Sequence, residues 1–116
     1  MRIILRGERP TSYNILYRGS HWSKRSQEKD RVKLLMFYTL KPEQKRLFSK
    51  SVDIIATAYF DKHPLDPDNI AIKYYIDSLK GFVFEDDTPE YINSVTLRSR
   101  IDKTDPRLEI ELTESA

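Results

Sequence analysis

Val52-Asp53-Ile54-Ile55-Ala56-Thr57-Ala58-Tyr59-Phe60 is the stretch on which the fold turns. Val52, Ile54, Ala56, Ala58 and Phe60 fall on one side of an extended chain, and Asp53, Ile55, Thr57 and Tyr59 on the other. Alternation of this kind predicts a strand, with one wall packed and the opposite wall still partly apolar.

Toward the N-terminus, Val32, Leu35, Met36 and Leu40 recur at helical spacing and predict a helix from a Ser23 cap to about Leu40. Its other faces carry Lys24, Arg25, Lys29, Arg31 and Lys33. Pro42 ends that helix and is placed to begin a short one through Phe48. Residues 7–21, with Gly7, Pro10, Asn14 and Gly19, read as a long loop, and residues 2–5 as a first strand. Beyond the central stretch, His63-Pro64 marks a turn. Asn69 to Leu79 reads as a second helix with Ile72, Ile76 and Leu79 inward, stopped by Gly81. Residues 94–101 and 107–112 alternate again, and Asp102–Pro106 between them reads as a hairpin loop. The expectation is an α+β fold of order β-α-β-α-β-β, a small mixed sheet with two main helices on one face, in one domain spanning residues 1–116.

A hydrophobic share of 39% and a charged share of 33% suit a soluble globular chain, and 116 residues give it a modest core that a second copy would help to stabilise. Without cysteine there is no disulfide, thiolate zinc site or cysteine nucleophile. Met1–Arg6 is too short and too charged for a signal peptide, and no apolar run reaches membrane-spanning length, so a cytoplasmic setting is expected. The net charge of +2 conceals a division: residues 1–60 hold 13 Lys and Arg against 5 Asp and Glu, whereas residues 61–90 hold 3 against 8. A basic half beside an acidic cluster fits a protein that grips a polyanion and holds a cation, although lysines and arginines on helices are also ordinary solvated faces.

The acidic cluster has a pattern. Asp66 and Asp68 lie two apart across Pro67, whose ring favours extended backbone, so both carboxylates reach one small volume. Hard oxygen ligands of this type suit Mg²⁺ or Mn²⁺. Glu85, Asp86 and Asp87 arrive after the helix has returned the chain, and a third carboxylate from there would close the site. Asn69, Lys73 and Asp77, four apart, share one helical stripe that aims Lys73 at the carboxylates, where an ammonium group can neutralise charge on a phosphodiester. Each feature also has a plainer reading. Asp68 or Asn69 can cap a helix, Lys73 and Asp77 can be a surface ion pair, and Glu85–Asp87 can be a polar turn. His63, beside a proline turn, is not counted among the ligands.

Taken together, Asp66-Pro67-Asp68-Asn69, Lys73, Asp77-Ser78-Leu79, Gly81 and Asp86-Asp87 resemble the pattern of the RusA-type Holliday-junction resolvases. Pro10-Thr11-Ser12-Tyr13-Asn14 resembles that family's Pro-x-Ser-x-Asn loop. One departure is that Lys73 follows Asn69 by four residues, where three are expected. The resemblance implies a homodimeric, Mg²⁺-dependent endonuclease that cuts four-way DNA junctions in recombination and repair, encoded by a bacterium or its phage. It implies that Asp66, Asp68 and Asp87, or Asp86 in its place, are metal ligands, with Lys73 as the essential lysine. Arg18, Lys24, Arg25, Lys29, Asn14 and Asn69 are the expected DNA contacts. A noncatalytic DNA-binding module of the same fold, or a nuclease preferring flaps and other branched DNA, are the alternatives.

Overall fold

The computed structural model describes residues 1–17 and 22–115. Strand β1 is Arg2–Arg6, followed by a short helix α1 (Tyr13–Tyr17) and the long helix α2 (Trp22–Thr39). Strand β2 is Val52–Phe60, helix α3 is Lys73–Leu79, and strands β3 and β4 are Ile92–Ile101 and Arg107–Glu114. The strands form one mixed sheet in the order β1-β4-β2-β3. β4 is antiparallel to both its neighbours, and β2 runs parallel to β3. The α+β class, with two main helices against a small mixed sheet, is as expected.

The central stretch behaves as its alternation requires, because Val52, Ile54, Ala56, Ala58 and Phe60 are all at most 2% exposed. Register completes the layer: Ile110 pairs with Ile3 on one side and Ala56 on the other, and Leu108 with Leu5 and Ala58. Val32, Met36 and Leu40 of α2 and Tyr75 and Leu79 of α3 join the same buried cluster. The other face of the sheet is free of helices and laced by charge, with Arg107 paired to Asp102 and Glu109 and stacked 3.8 Å from the Tyr59 ring. Among the described residues no helix is long and apolar enough to cross a membrane.

Several expectations are corrected. β3 and β4 do not form a hairpin, because β2 lies between them. Alternation identifies a strand but not its partner. Here the 31-residue passage through α3 is long enough to return β3 parallel to β2, which a tight turn cannot do. The connection from β3 to β4 then passes the end of β2, where the Asp102 N–H donates to Phe60 O at 2.8 Å. The helix expected from Asn69 begins only at Lys73; Pro67–Asn69 is a 3₁₀ turn, and Ile70 is extended and bridged to Ser12. Asn69 therefore does not share a helical stripe with Lys73 and Asp77. The loop over residues 7–21 contains α1, and the short helix at Pro42 is a single 3₁₀ turn, Pro42–Gln44. Ser23 lies inside α2 and is not its cap.

A polar knot fixes α2 against α3 and the loop after β1. The Tyr75 phenol, 1% exposed, donates to the Glu8 carboxylate, which also accepts two bonds from Arg31 at 3.1 and 2.8 Å. Arg31 reaches Glu28 as well, at 2.8 Å, and Glu28 accepts from the Thr11 hydroxyl at 3.1 Å. These contacts hold the Glu28 carboxyl below its usual range, chiefly through the Arg31 bond, while burial pushes the Tyr75 phenol up. Glu8→Ala should cost about 3 kcal/mol in urea unfolding, because it strands a buried hydroxyl and half of a guanidinium pair. Tyr75→Phe, which leaves the Arg31–Glu8 pair intact, should cost about 1 kcal/mol.

The β3–β4 connection yields a pH prediction. Arg107 bonded to Asp102, with Thr104 and Asp105 N–H groups also donating to it, holds the Asp102 carboxyl down to about 2 from 3.8. The folded-state value is depressed, so the contribution to stability is complete above 3.8 and is lost as pH falls through about 2. Side-chain NMR titration should find Asp102 near 2 in the wild type and back toward 3.8 in Arg107→Gln.

Candidate functional site

Two sequence segments 50 residues apart, the 10–14 loop and the Asp66–Asn69 turn, are stitched together. Ser12 and Ile70 form a β-bridge, Ala71 N donates to Thr11 O at 3.2 Å, and Asn14 N donates to the Asn69 side-chain oxygen at 3.0 Å. The Asn69 amide expected to touch DNA thus carries a structural bond. Asp66 has extended backbone, as Pro67 requires, and its carbonyl accepts from Asn69 N at 2.9 Å. Asp66 and Asp68 are both exposed on this turn, which packs beside β3.

On α3, Lys73 and Asp77 lie one turn apart, with Nζ to Oδ2 at 3.6 Å. After the helix, Gly81 takes φ +85°, a value that favours a residue without Cβ, and its N–H donates to Phe84 O at 2.7 Å. That turn brings Asp86 and Asp87 back to α3. The Asp77 and Asp87 carboxyls line one cleft and influence each other's ionisation, and Lys80 Nζ stands 3.5 Å from both Asp86 and Asp87. Asp86 is further occupied in accepting from the Asp87 N–H at 2.8 Å. Burial, then the neighbouring Asp87 carboxyl, push the Asp77 carboxyl up, whereas Asp77 first, with Asp86 and Lys80, holds the Asp87 carboxyl down.

Asp77 borders two clefts, and Asp87 one of them. One, of about 290 Å³, is lined by Lys29, Lys33, Lys80, Tyr74 and Ser78 as well as Asp77. The other, of about 300 Å³, contains Lys73, Asp77 and Asp87 with an apolar wall of Ile72, Ile76 and Val95.

Lys73 and Asp87 line the same cleft, with Asp77 as the ion-pair partner of Lys73. Among the described residues no three His, Cys, Asp or Glu side chains gather as a cation site requires, so Asp66, Asp68 and Asp87 do not form the expected triad. The reason is local: residues 69–72 are spent on bonds to the 10–14 loop, which hold the Asp66–Asp68 turn to that loop. Neighbouring carboxylates favour a cation beside them, and the oxygen donors of Asp77 and Asp87 are of the type a hard divalent ion takes. Lys24 and Lys29 are exposed on α2, Arg25 stacks 5.6 Å from the Tyr17 ring, and Asn14 is exposed on α1. Arg18 lies outside the described residues. Lys33, Lys80 and the partnership of Asp77 with Asp87 escaped the sequence reading. Helical arithmetic puts Lys33 one turn beyond Lys29, but Lys80 follows the last helical residue and no periodicity points to it.

No family model and no curated protein matches the chain.

The acid pair has a measurable signature. A carboxyl whose folded pKa is raised weakens the fold once ionised. In EDTA, Asp77→Asn should melt higher than the wild type at neutral pH. The advantage should shrink as pH falls through the raised Asp77 value and be gone below 3.8. Calorimetry across pH checks this.

Proposed function

We propose that the chain is a divalent-cation-dependent DNA endonuclease of the RusA Holliday-junction resolvase type, cutting four-way junctions during recombination and repair in a bacterial or phage-infected cytoplasm. The observation that carries the reading is the Asp77–Asp87 pair with Lys73 beside it, opening on one side to a lysine-lined cleft. Phosphodiester hydrolysis needs these parts together: acidic oxygens near the attacking water and cations along the strand.

Asp77 and Asp87 are the residues that would hold Mg²⁺ or Mn²⁺, and Asp66 and Asp68 would join them on movement of their turn. Bound there, the ion would supply a water of lowered pKa and offset charge on the phosphorus. Lys73, 63% exposed at its side chain and tethered by Asp77, stabilises the developing negative charge. Asp86 keeps Lys80 directed at Asp87. Lys24, Arg25 and Lys29 hold the backbone without reading bases. A homodimer places two equal centres on two equivalent strands. Leu34, Phe37 and Tyr38, exposed by 58%, 49% and 76% on α2, leave apolar surface for such pairing.

A second reading, a noncatalytic DNA-binding module, is favoured by the lack of a three-ligand group among the described residues. Purified protein with labelled four-way junction, flap and linear duplex, in Mg²⁺ and in Mn²⁺, separates the two. The nuclease reading expects junction cleavage that Asp68→Asn and Asp87→Asn each abolish, with junction binding retained in Ca²⁺. Cleavage by Asp68→Asn at the wild-type rate removes the mechanism. Binding without cleavage in either metal leaves the module, and stronger cutting of flaps reassigns the substrate.

A further inference from the structure

We propose that the cleft between α2 and the end of α3 is the seat of one backbone phosphate of a nucleic-acid strand, held by Lys29, Lys33 and Lys80 next to the Asp77–Asp87 pair. The idea rests on the nuclease reading for its substrate, though not for its chemistry.

Three observations carry it. First, the arginines that flank the cleft's surroundings are engaged by carboxylates, whereas the lysines of the cleft wall on α2 are not. Arg31 meets Glu8 and Glu28, Arg107 meets Asp102 and Glu109, and Arg2 meets Glu109 and Glu111. Lys29 and Lys33, one turn apart on α2, have no ion-pair partner among the described residues, and like charges at that spacing oppose the helix. Second, these two lysines line one cleft with Lys80, whose ion-pair partners Asp86 and Asp87 are not part of the lining. A volume of about 290 Å³ accommodates a phosphate with its ester atoms. Third, the lining suits an anion recognised from any direction. Lysines act as point charges and not as forks, and the Ser78 hydroxyl is already committed to Tyr75 O at 2.6 Å. Nothing in the cleft discriminates one base from another, so the seat positions the strand without reading sequence.

Asp77 forms part of the wall of both clefts. A strand seated there continues over Asp77 and Asp87 toward Lys73. Arg98 and Arg100 are excluded from this path: their register partners Thr57 and Tyr59 stand on the helix-free face of the sheet.

The test uses the full chain and a fluorescein-labelled four-way junction, with anisotropy titrations over a range of NaCl in EDTA. If the three lysines neutralise one phosphate, Lys29→Gln with Lys33→Gln should reduce the slope of log K against log salt by about 1. The loss should be equal for two junctions of unrelated sequence. Lys29→Arg with Lys33→Arg should restore the slope, and Lys103→Gln, on the β3–β4 connection, should leave it unchanged. Lys33→Gln alone, at an exposed helical position, gives the same reading if the double variant fails to fold. An unchanged slope, an equal fall in Lys103→Gln, or a loss confined to one sequence overturns the proposal. Cleavage in Mg²⁺ is scored separately: cutting with an unchanged slope removes the seat and keeps the nuclease, whereas a reduced slope without cutting keeps the seat and removes the nuclease. A wild-type protein that does not bind DNA removes both.

Discussion

The buried Tyr75 hydroxyl has one acceptor, Glu8, and the rest of the molecule is arranged around keeping that acceptor in place. Glu8 follows the Gly7 turn, where φ is +73° and the Gly7 N–H reaches Pro106 O at 2.9 Å, so the end of β1 is already pinned to the start of β4. Arg31 then clamps Glu8 from α2, and Glu28 carries the connection on to Thr11. From Thr11 the backbone passes directly into the bonds that hold the 66–72 segment. One phenol therefore sets the spacing of α2 and α3, and with it both the lysine-lined cleft and the acid pair. A buried hydroxyl left without its partner is costly enough to make this the fixed point.

Charge is divided by side-chain type. Arginine does much of the structural work: Arg31 and Arg2 each meet two carboxylates, Arg107 meets three, and Arg9 lies 4.7 Å from the Phe60 ring while donating to the Lys62 and His63 carbonyls. A planar guanidinium with five donors suits such fixed multiple contacts. The lysines of α2 remain outside these networks and face the cleft or solvent. The acidic excess of residues 61–90 is split likewise, part meeting Lys73 and Lys80 and part exposed at Asp66 and Asp68. The division read from composition, basic half against acidic cluster, becomes a physical border that runs along Asp77.

What the sequence made legible was local. The nine residues of β2 and the buried stripe of α2 follow from periodicity, because the buried side chains are large, apolar and uninterrupted. What it concealed depends on partners distant in the chain. Residues 107–112 alternate equally well beside β3 or beside β1 and β2, so the missing hairpin could not be read from them. Ile70 and Ala71 are apolar residues at positions compatible with a helix, yet they are extended because Thr11 and Ser12 offer them backbone partners. Asp77 was placed on the correct helical face with Lys73, but its contact with Asp87 depends on the tightness of the Gly81 turn, which a lone glycine does not specify.

The same stitching determines how the four aspartates relate. Asp77 and Asp87 are fixed by α3 and the Gly81 turn, elements anchored in the core through Tyr75, Leu79 and Phe84. Asp66 and Asp68 belong to a different body, the turn whose following residues are bonded to the 10–14 loop. An approach of Asp68 to Asp87 must therefore either carry that loop along or break the Ser12–Ile70 bridge and the Asn14–Asn69 bond. Asp77 and Asp87 are flanked by Lys73 and Lys80, whose exposed ammonium groups offset the acidic charge only in part. In this chain the 10–14 loop and the 66–69 turn are held as neighbours by the Ser12–Ile70 bridge, the Ala71–Thr11 bond and the Asn14–Asn69 bond.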